Sequence, residues 1–150
     1  MSEKSEKAKE LFKRGYNCSQ AVVAAFAEDL GVDEETLIKL SSSFGGGMGR
    51  LREVCGAVSG MFMVAGLKYG YSSPDAKEEK TEHYARIQEL AEAFTKENGS
   101  IICRELLGLE TKKESHVPSE RTEGYYKVRP CADLVADAAA IMEEYIKKNG

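Results

Sequence analysis

The sequence has no tryptophan, only three prolines, no excess of basic residues and no closely spaced pair of cysteines. With 21 Lys and Arg against 25 Asp and Glu, the formal net charge is −4. That excludes the basic footprint expected of a nucleic-acid binder. The longest apolar run, Val54 to Leu67, falls short of the roughly 20 residues a membrane-spanning helix needs. No segment alternates apolar and polar residues between turn signals, so strands are not expected. The first residues, MSEKSEKAKE, are charged and carry no apolar signal region, and the expected location is cytoplasmic. The four cysteines, Cys18, Cys55, Cys103 and Cys131, stand at least 28 positions apart. An even count suits two disulfides in a secreted protein, but a chain of this size is expected to form a single domain, residues 1–150, with a core of its own. In a reducing compartment, four scattered cysteines are inert core residues, redox partners or metal ligands.

What is present is concentrated in Phe44 to Gly70, FGGGMGRLREVCGAVSGMFMVAGLKYG. Gly45, Gly46, Gly47 and Gly49 are too many for a helix or strand interior, where each costs roughly 0.5–1 kcal/mol relative to alanine. They predict a loop with special backbone angles or close approach. Glu53 to Leu67 is then almost continuously apolar or small, the pattern of a buried helix. Gly56 and Gly60, four apart, clear one face for a neighbouring helix or a bulky cofactor.

The rest of the chain reads as helices and stops. Ser2 to Arg14 ends at Gly15. Asn17 caps Cys18 to Leu30, and Gly31 ends it. Asp33 caps Glu34 to about Ser43. Pro74 and Asp75 open a long helix to Asn98 that turns Tyr84, Ile87, Leu90, Ala91 and Phe94 inward. Ser100 caps Ile101 to Leu107. Leu109 to Arg129 is polar and irregular, and loops of that length are usually functional. Pro130 opens the last helix, Cys131 to about Lys148. The expected fold is an all-α domain of six or seven helices around a buried central glycine-containing helix.

On this map every cysteine falls in or beside the first turn of a helix. There the free N–H groups and the positive dipole end favour a thiolate over the ordinary thiol. Inert core cysteines have no reason to choose that position.

The sequence also resembles a family of proteins regarded as redox-active, defined by four cysteines and a Cys-Gly-Ala-x-x-Gly motif. The motif reads Cys55-Gly56-Ala57-Val58-Ser59-Gly60. The flanks agree at Gly15-Tyr16-Asn17-Cys18-Ser19-Gln20-Ala21-Val22, at Phe44 to Arg50, at Cys103-Arg104-Glu105-Leu106-Leu107-Gly108 and at Cys131 before a C-terminal helix. The resemblance covers nearly the whole chain. It implies a redox role resting on the cysteines and an association with transport. Related segments are fused to iron–sulfur or haem redox modules. It names neither substrate nor reaction.

Three readings of the four cysteines follow. In the first they form redox-active pairs, one thiolate attacking an incoming disulfide or oxidant and a second resolving it, with Cys55 the expected central nucleophile backed by the Gly45–Gly49 loop. In the second, Cys18, Cys55, Cys103 and Cys131 together hold zinc or an iron–sulfur cluster, whose sulfurs the glycine-loop amides reach. Against that, usual zinc and ferredoxin sites draw ligands in close pairs from one loop. In the third, the apolar helix and the 109–129 loop receive a partner, a membrane transporter or an oxidoreductase. The glycine loop is neither a Walker A motif, lacking Gly-Lys-Ser/Thr, nor a dinucleotide fingerprint, lacking a preceding strand. Arg50 and Arg52 read as a solvated charged pair, although an anion at a helix start would suit them. His83 and His116 read as surface residues, and Tyr16, Tyr69, Tyr125 and Tyr126 as core or rim aromatics. Met48, Met61 and Met63 read as core filler.

Overall fold

The computed structural model describes residues 2–108, 115–122 and 130–150. The expected Tyr125-Tyr126 rim and most of the 109–129 loop therefore lie outside the described residues. Those described fold into helices α1 (Glu3–Lys13), α2 (Cys18–Ala25), α3 (Ala27–Leu30), α4 (Glu34–Ser41), α5 (Gly56–Tyr69), α6 (Lys77–Asn98), α7 (Cys103–Leu106) and α8 (Cys131–Asn149), with a 3₁₀ turn at Ser42–Phe44. Among the described residues no helix is long and apolar enough to cross a membrane.

Local chemistry sets most of these boundaries. Ser2 caps α1 by accepting from the Ser5 amide. Asn17 and Gln20 form a reciprocal capping box at α2, the Asn17 side chain accepting from the Gln20 amide and the Gln20 side chain from the Asn17 amide. Asp33 caps α4 through the Thr36 amide. Gly31 and Gly99 end their helices in the left-handed conformation that glycine adopts without penalty.

The core lies where α2, α5 and α8 meet. Helix α1 packs on α8 and α2, while α4 covers α2 and α6 lies across α5 and α8. Phe12, Phe26, Leu37, Val58, Met61, Val64, Leu90, Phe94, Val135 and Met142 are fully buried. Helices α2 and α5 touch at Gly60, where an added Cβ would stand 2.9 Å from the Ser19 carbonyl oxygen and 3.0 Å from Val22 Cβ. The space that Gly60 leaves is taken by a helix.

Several expectations need correction. Cys18 to Leu30 is two helices, broken at Phe26, whose φ of −105° and ψ of 4° leave the helical region. Helix α5 starts at Gly56 rather than Glu53, because residues 53–55 are extended. Val54 pairs with Ile102 in one antiparallel bridge, a short exception to the expected absence of extended pairing. Tyr84 is 54% exposed instead of inward, and His83 takes the buried position beside it. Burial, then the nearby Arg86 charge, push the His83 pKa below its ordinary value.

Candidate functional site

Each cysteine stands at a helix start. Cys18, Cys103 and Cys131 are the first residues of α2, α7 and α8, and Cys55 is the residue before α5. The extended pair fixes two of them relative to each other. The Cys55 amide donates to the Ile101 carbonyl at 2.8 Å, and the Cys103 amide to the Glu53 carbonyl at 2.6 Å. All four line one cavity of about 250 Å³, together with Gly45, Gly46 and Gly47. Cys55, Cys103 and Cys131 are buried and Cys18 is half-buried.

The neighbouring Cys131 thiol, then burial and the proximity of the other sulfurs, raise the Cys18 pKa well above its ordinary value. Burial pushes the Cys55 thiol up to about 12, although the Val58 and Ala57 amides pull the other way. The helix-start amides are in place, and desolvation outweighs their pull on the Cys55 thiol. Among the described residues no group of three or more His, Cys, Asp or Glu side chains is gathered closely enough to hold a metal ion.

The glycine loop is more ordered than its composition implies. Gly46, Gly47, Met48, Gly49 and Arg50 all have φ between 60° and 72°, a continuous left-handed turn closed by the Gly49 amide on the Gly45 carbonyl at 2.9 Å. For L-residues this conformation costs roughly 1–2 kcal/mol each, and Met48, Arg50 and Arg52 all adopt it. The turn brings Gly47 against the cavity. An added Cβ there would lie 2.6 Å from Cys103 Cβ and 2.8 Å from Arg52 Cα. Gly56 likewise admits the Phe44 carbonyl oxygen and Cys18 Cβ, 2.8 and 3.0 Å from where its Cβ would stand. Gly45 sits directly against the Asn17 side chain. The close approach expected at these glycines is made by protein atoms.

Sequence reasoning missed the arginines. Arg52 is 4% exposed, not solvated, and donates to Cys103 Sγ at 3.5 Å. Arg50 reaches outward, donating to the Ser115 carbonyl at 2.7 Å and to Ser119 Oγ at 3.2 Å. Arg121 returns from the same segment to the Phe12 and Tyr16 carbonyls and lies over the Phe12 ring, 4.1 Å from its centroid. Residues 115–121 are thereby strapped across the cavity mouth, where His116, Pro118 and Ser119 complete its lining. The only available signal was the placement of Arg50 and Arg52 beside the glycines.

Residues 16–145 match the family described as "Putative redox-active protein (C_GCAxxG_C_C)". The chain belongs to this family. The match spans all four cysteines and supports a redox role in general terms. No curated protein matches the chain, and no solved structure does. In this C_GCAxxG_C_C protein the Cys-Gly-Ala-x-x-Gly motif therefore has a local explanation. Cys55 presents its sulfur to the cavity, Gly56 makes room for Cys18, and Gly60 seats α5 on α2.

Proposed function

We propose that the chain is a thiol–disulfide exchange protein in which Cys18 and Cys131 form the pair that is oxidised and reduced. The observation that carries this is that Cys18 and Cys131, the first residues of α2 and α8, line the same cavity, where Cys131 is the largest influence on the Cys18 thiol. Two neighbouring sulfurs in one cavity are the arrangement a disulfide needs. In the reaction a disulfide R–S–S–R accepts two electrons and the two thiol protons and leaves as two R–SH, while one S–S bond forms between Cys18 and Cys131. Cys18 is the half-buried member, open to an incoming disulfide. A reducing cytoplasmic setting returns the pair to the dithiol, and an oxidoreductase is the corresponding partner.

The test is oxidation of the reduced protein with a limiting amount of a small disulfide, followed by peptide mapping without reduction. The expected product is one Cys18–Cys131 cross-link, reversed by a dithiol and lost in Cys131→Ser. Cross-links scattered over all pairs, or none, would overturn the proposal. So would iron and acid-labile sulfide near cluster stoichiometry in protein purified without air, since all four sulfurs would then be occupied as ligands.

A further inference from the structure

The cavity that holds the four cysteines also gathers cations. Its described lining residues include Arg50, Arg52 and Arg121 and no aspartate or glutamate, although the chain as a whole has a net charge of −4. Arg121 is the one anchored beside the exchange pair. Its Nη2 donates to the carbonyl of Tyr16, two residues before Cys18, at 2.8 Å, and its Nη1 donates to the Phe12 carbonyl. The guanidinium lies over the Phe12 ring, 4.1 Å from its centroid. Two carbonyls and a ring face are neutral partners, and among the described residues no carboxylate pairs with this charge. A guanidinium carries five N–H donors, and these two bonds leave the others available. The side chain is part-buried and keeps its charge. A cation drawn partly out of water, facing a cavity with donors to spare, suits a carboxylate, which it binds through paired hydrogen bonds. The volume of about 250 Å³ admits only a small molecule, since ordinary ligand pockets measure roughly 300–1,000 Å³.

We infer that the disulfide exchanged at Cys18 and Cys131 is a small molecule bearing a carboxylate near its sulfurs, and that Arg121 binds that carboxylate. This rests on the exchange reading above and supplies its substrate class. Arg121 is tied to the segment that leads into α2, so an anion held there is brought to the side of the cavity where Cys18 stands. Tyr16 and Cys18 are at most about 7 Å apart along the chain, within the span of a short carboxylate-bearing arm. The bond changes are those of the exchange itself. The Cys18 sulfur bonds to one substrate sulfur and the other half of the substrate leaves. Cys131 then bonds to Cys18 and displaces the remaining half. The two electrons and the two thiol protons end on the two released R–SH. Arg121 takes no part in these bonds and sets which disulfide is brought to them.

Three small disulfides of different charge test this: anionic dithiodipropionate, neutral bis(hydroxyethyl) disulfide and cationic cystamine. The rate of Cys18–Cys131 cross-linking by each is divided by its rate with mercaptoethanol, which removes differences in intrinsic reactivity. The anionic reagent should lead the neutral one by about tenfold, the scale of one charge-assisted hydrogen bond, and cystamine should trail both. The lead should persist in Arg121→Lys, vanish in Arg121→Gln and reverse in Arg121→Glu. Because it is a ratio within one protein, any loosening of the strap cancels. Equal normalised rates in wild type, or a lead kept by Arg121→Gln, overturn the inference. Suberate, in which two methylenes replace the two sulfurs of dithiodipropionate, gives a reading that needs no exchange. It should slow alkylation of Cys18 by uncharged iodoacetamide in wild type and not in Arg121→Gln, and absence of protection in wild type overturns the anion site. Failure of the exchange reading is seen separately, as no cross-link with any reagent while suberate still protects.

Discussion

Two glycines of one helix should respond oppositely to the same substitution. In α5, a Cβ added to Gly60 would stand 2.9 Å from the Ser19 carbonyl oxygen, 3.0 Å from Val22 Cβ and 3.3 Å from Ser19 Cα. These atoms belong to the backbone, or are anchored directly to it, in α2. Relief therefore requires the two helices to separate rather than a side chain to turn. Overpacking of this kind typically costs about 1–3 kcal/mol. Gly66 lies six residues on, in the same helix, with nothing within 4 Å of its added Cβ. Alanine gains roughly 1 kcal/mol over glycine in a helix interior at either site, so that gain cancels in the comparison. Gly60→Ala should therefore be less stable than Gly66→Ala by about 1–3 kcal/mol, with Gly66→Ala at or above wild type. Urea unfolding followed by circular dichroism at 222 nm measures both, and unchanged m-values keep the comparison valid. For a chain of this size, each kcal/mol moves the melting temperature by roughly 2–4 °C. Equal stability of the two variants would refute the packing of α5 on α2 described above.

Two further perturbations address the cavity. Cys55 has a folded-state pKa of about 12 against an ordinary 9.0; with the folded value raised, its stabilising contribution is complete below about pH 9 and is lost as pH rises toward 12, by up to about 4 kcal/mol. Urea midpoints of the reduced protein should accordingly fall more steeply across that window in wild type than in Cys55→Ser, and parallel profiles would contradict the burial of this thiol. Arg50→Ala removes the bonds from Arg50 to Ser115 and Ser119, each worth about 1 kcal/mol at an exposed site. Alkylation of Cys18, followed by mass spectrometry, should accelerate by up to about thirty-fold as the strap loosens, and an unchanged rate would show that residues 115–121 do not restrict the cavity.

Much of the fold was legible because its signals are local. Asn17, Asp33, Gly31 and Gly99 each act within one turn of where they stand, and the helix starts and ends they mark are close to those observed. The features missed depend on partners distant in sequence. Residues 53–55 and 101–103 are too short to show a strand period, and only their pairing makes them extended. The break at Phe26 occurs inside an apolar run that reads equally well as one helix. Gly46, Gly47 and Gly49 announce left-handed angles, but Met48, Arg50 and Arg52 do not, and they adopt them because the turn and its hydrogen bonds hold them there. Arg52 looked solvated because an isolated arginine is usually exposed, and its burial follows from the placement of Cys103 fifty-one positions away.

The position of the cysteines shows why a helix start alone does not define a reactive thiol. A helix end carries the equivalent of about half a charge, spread over several amides, and its influence fades within a turn. Cys55 has two such amides turned toward it and is still held as a thiol, because removing the sulfur from water costs more than they return. Cys103 is also buried at a helix start, but a full guanidinium charge lies against it. The left-handed turn is what carries the charge to its place. Its strain at Met48, Arg50 and Arg52 is the cost of setting a buried arginine beside a buried cysteine, and such strain persists only where the surrounding structure over-determines it.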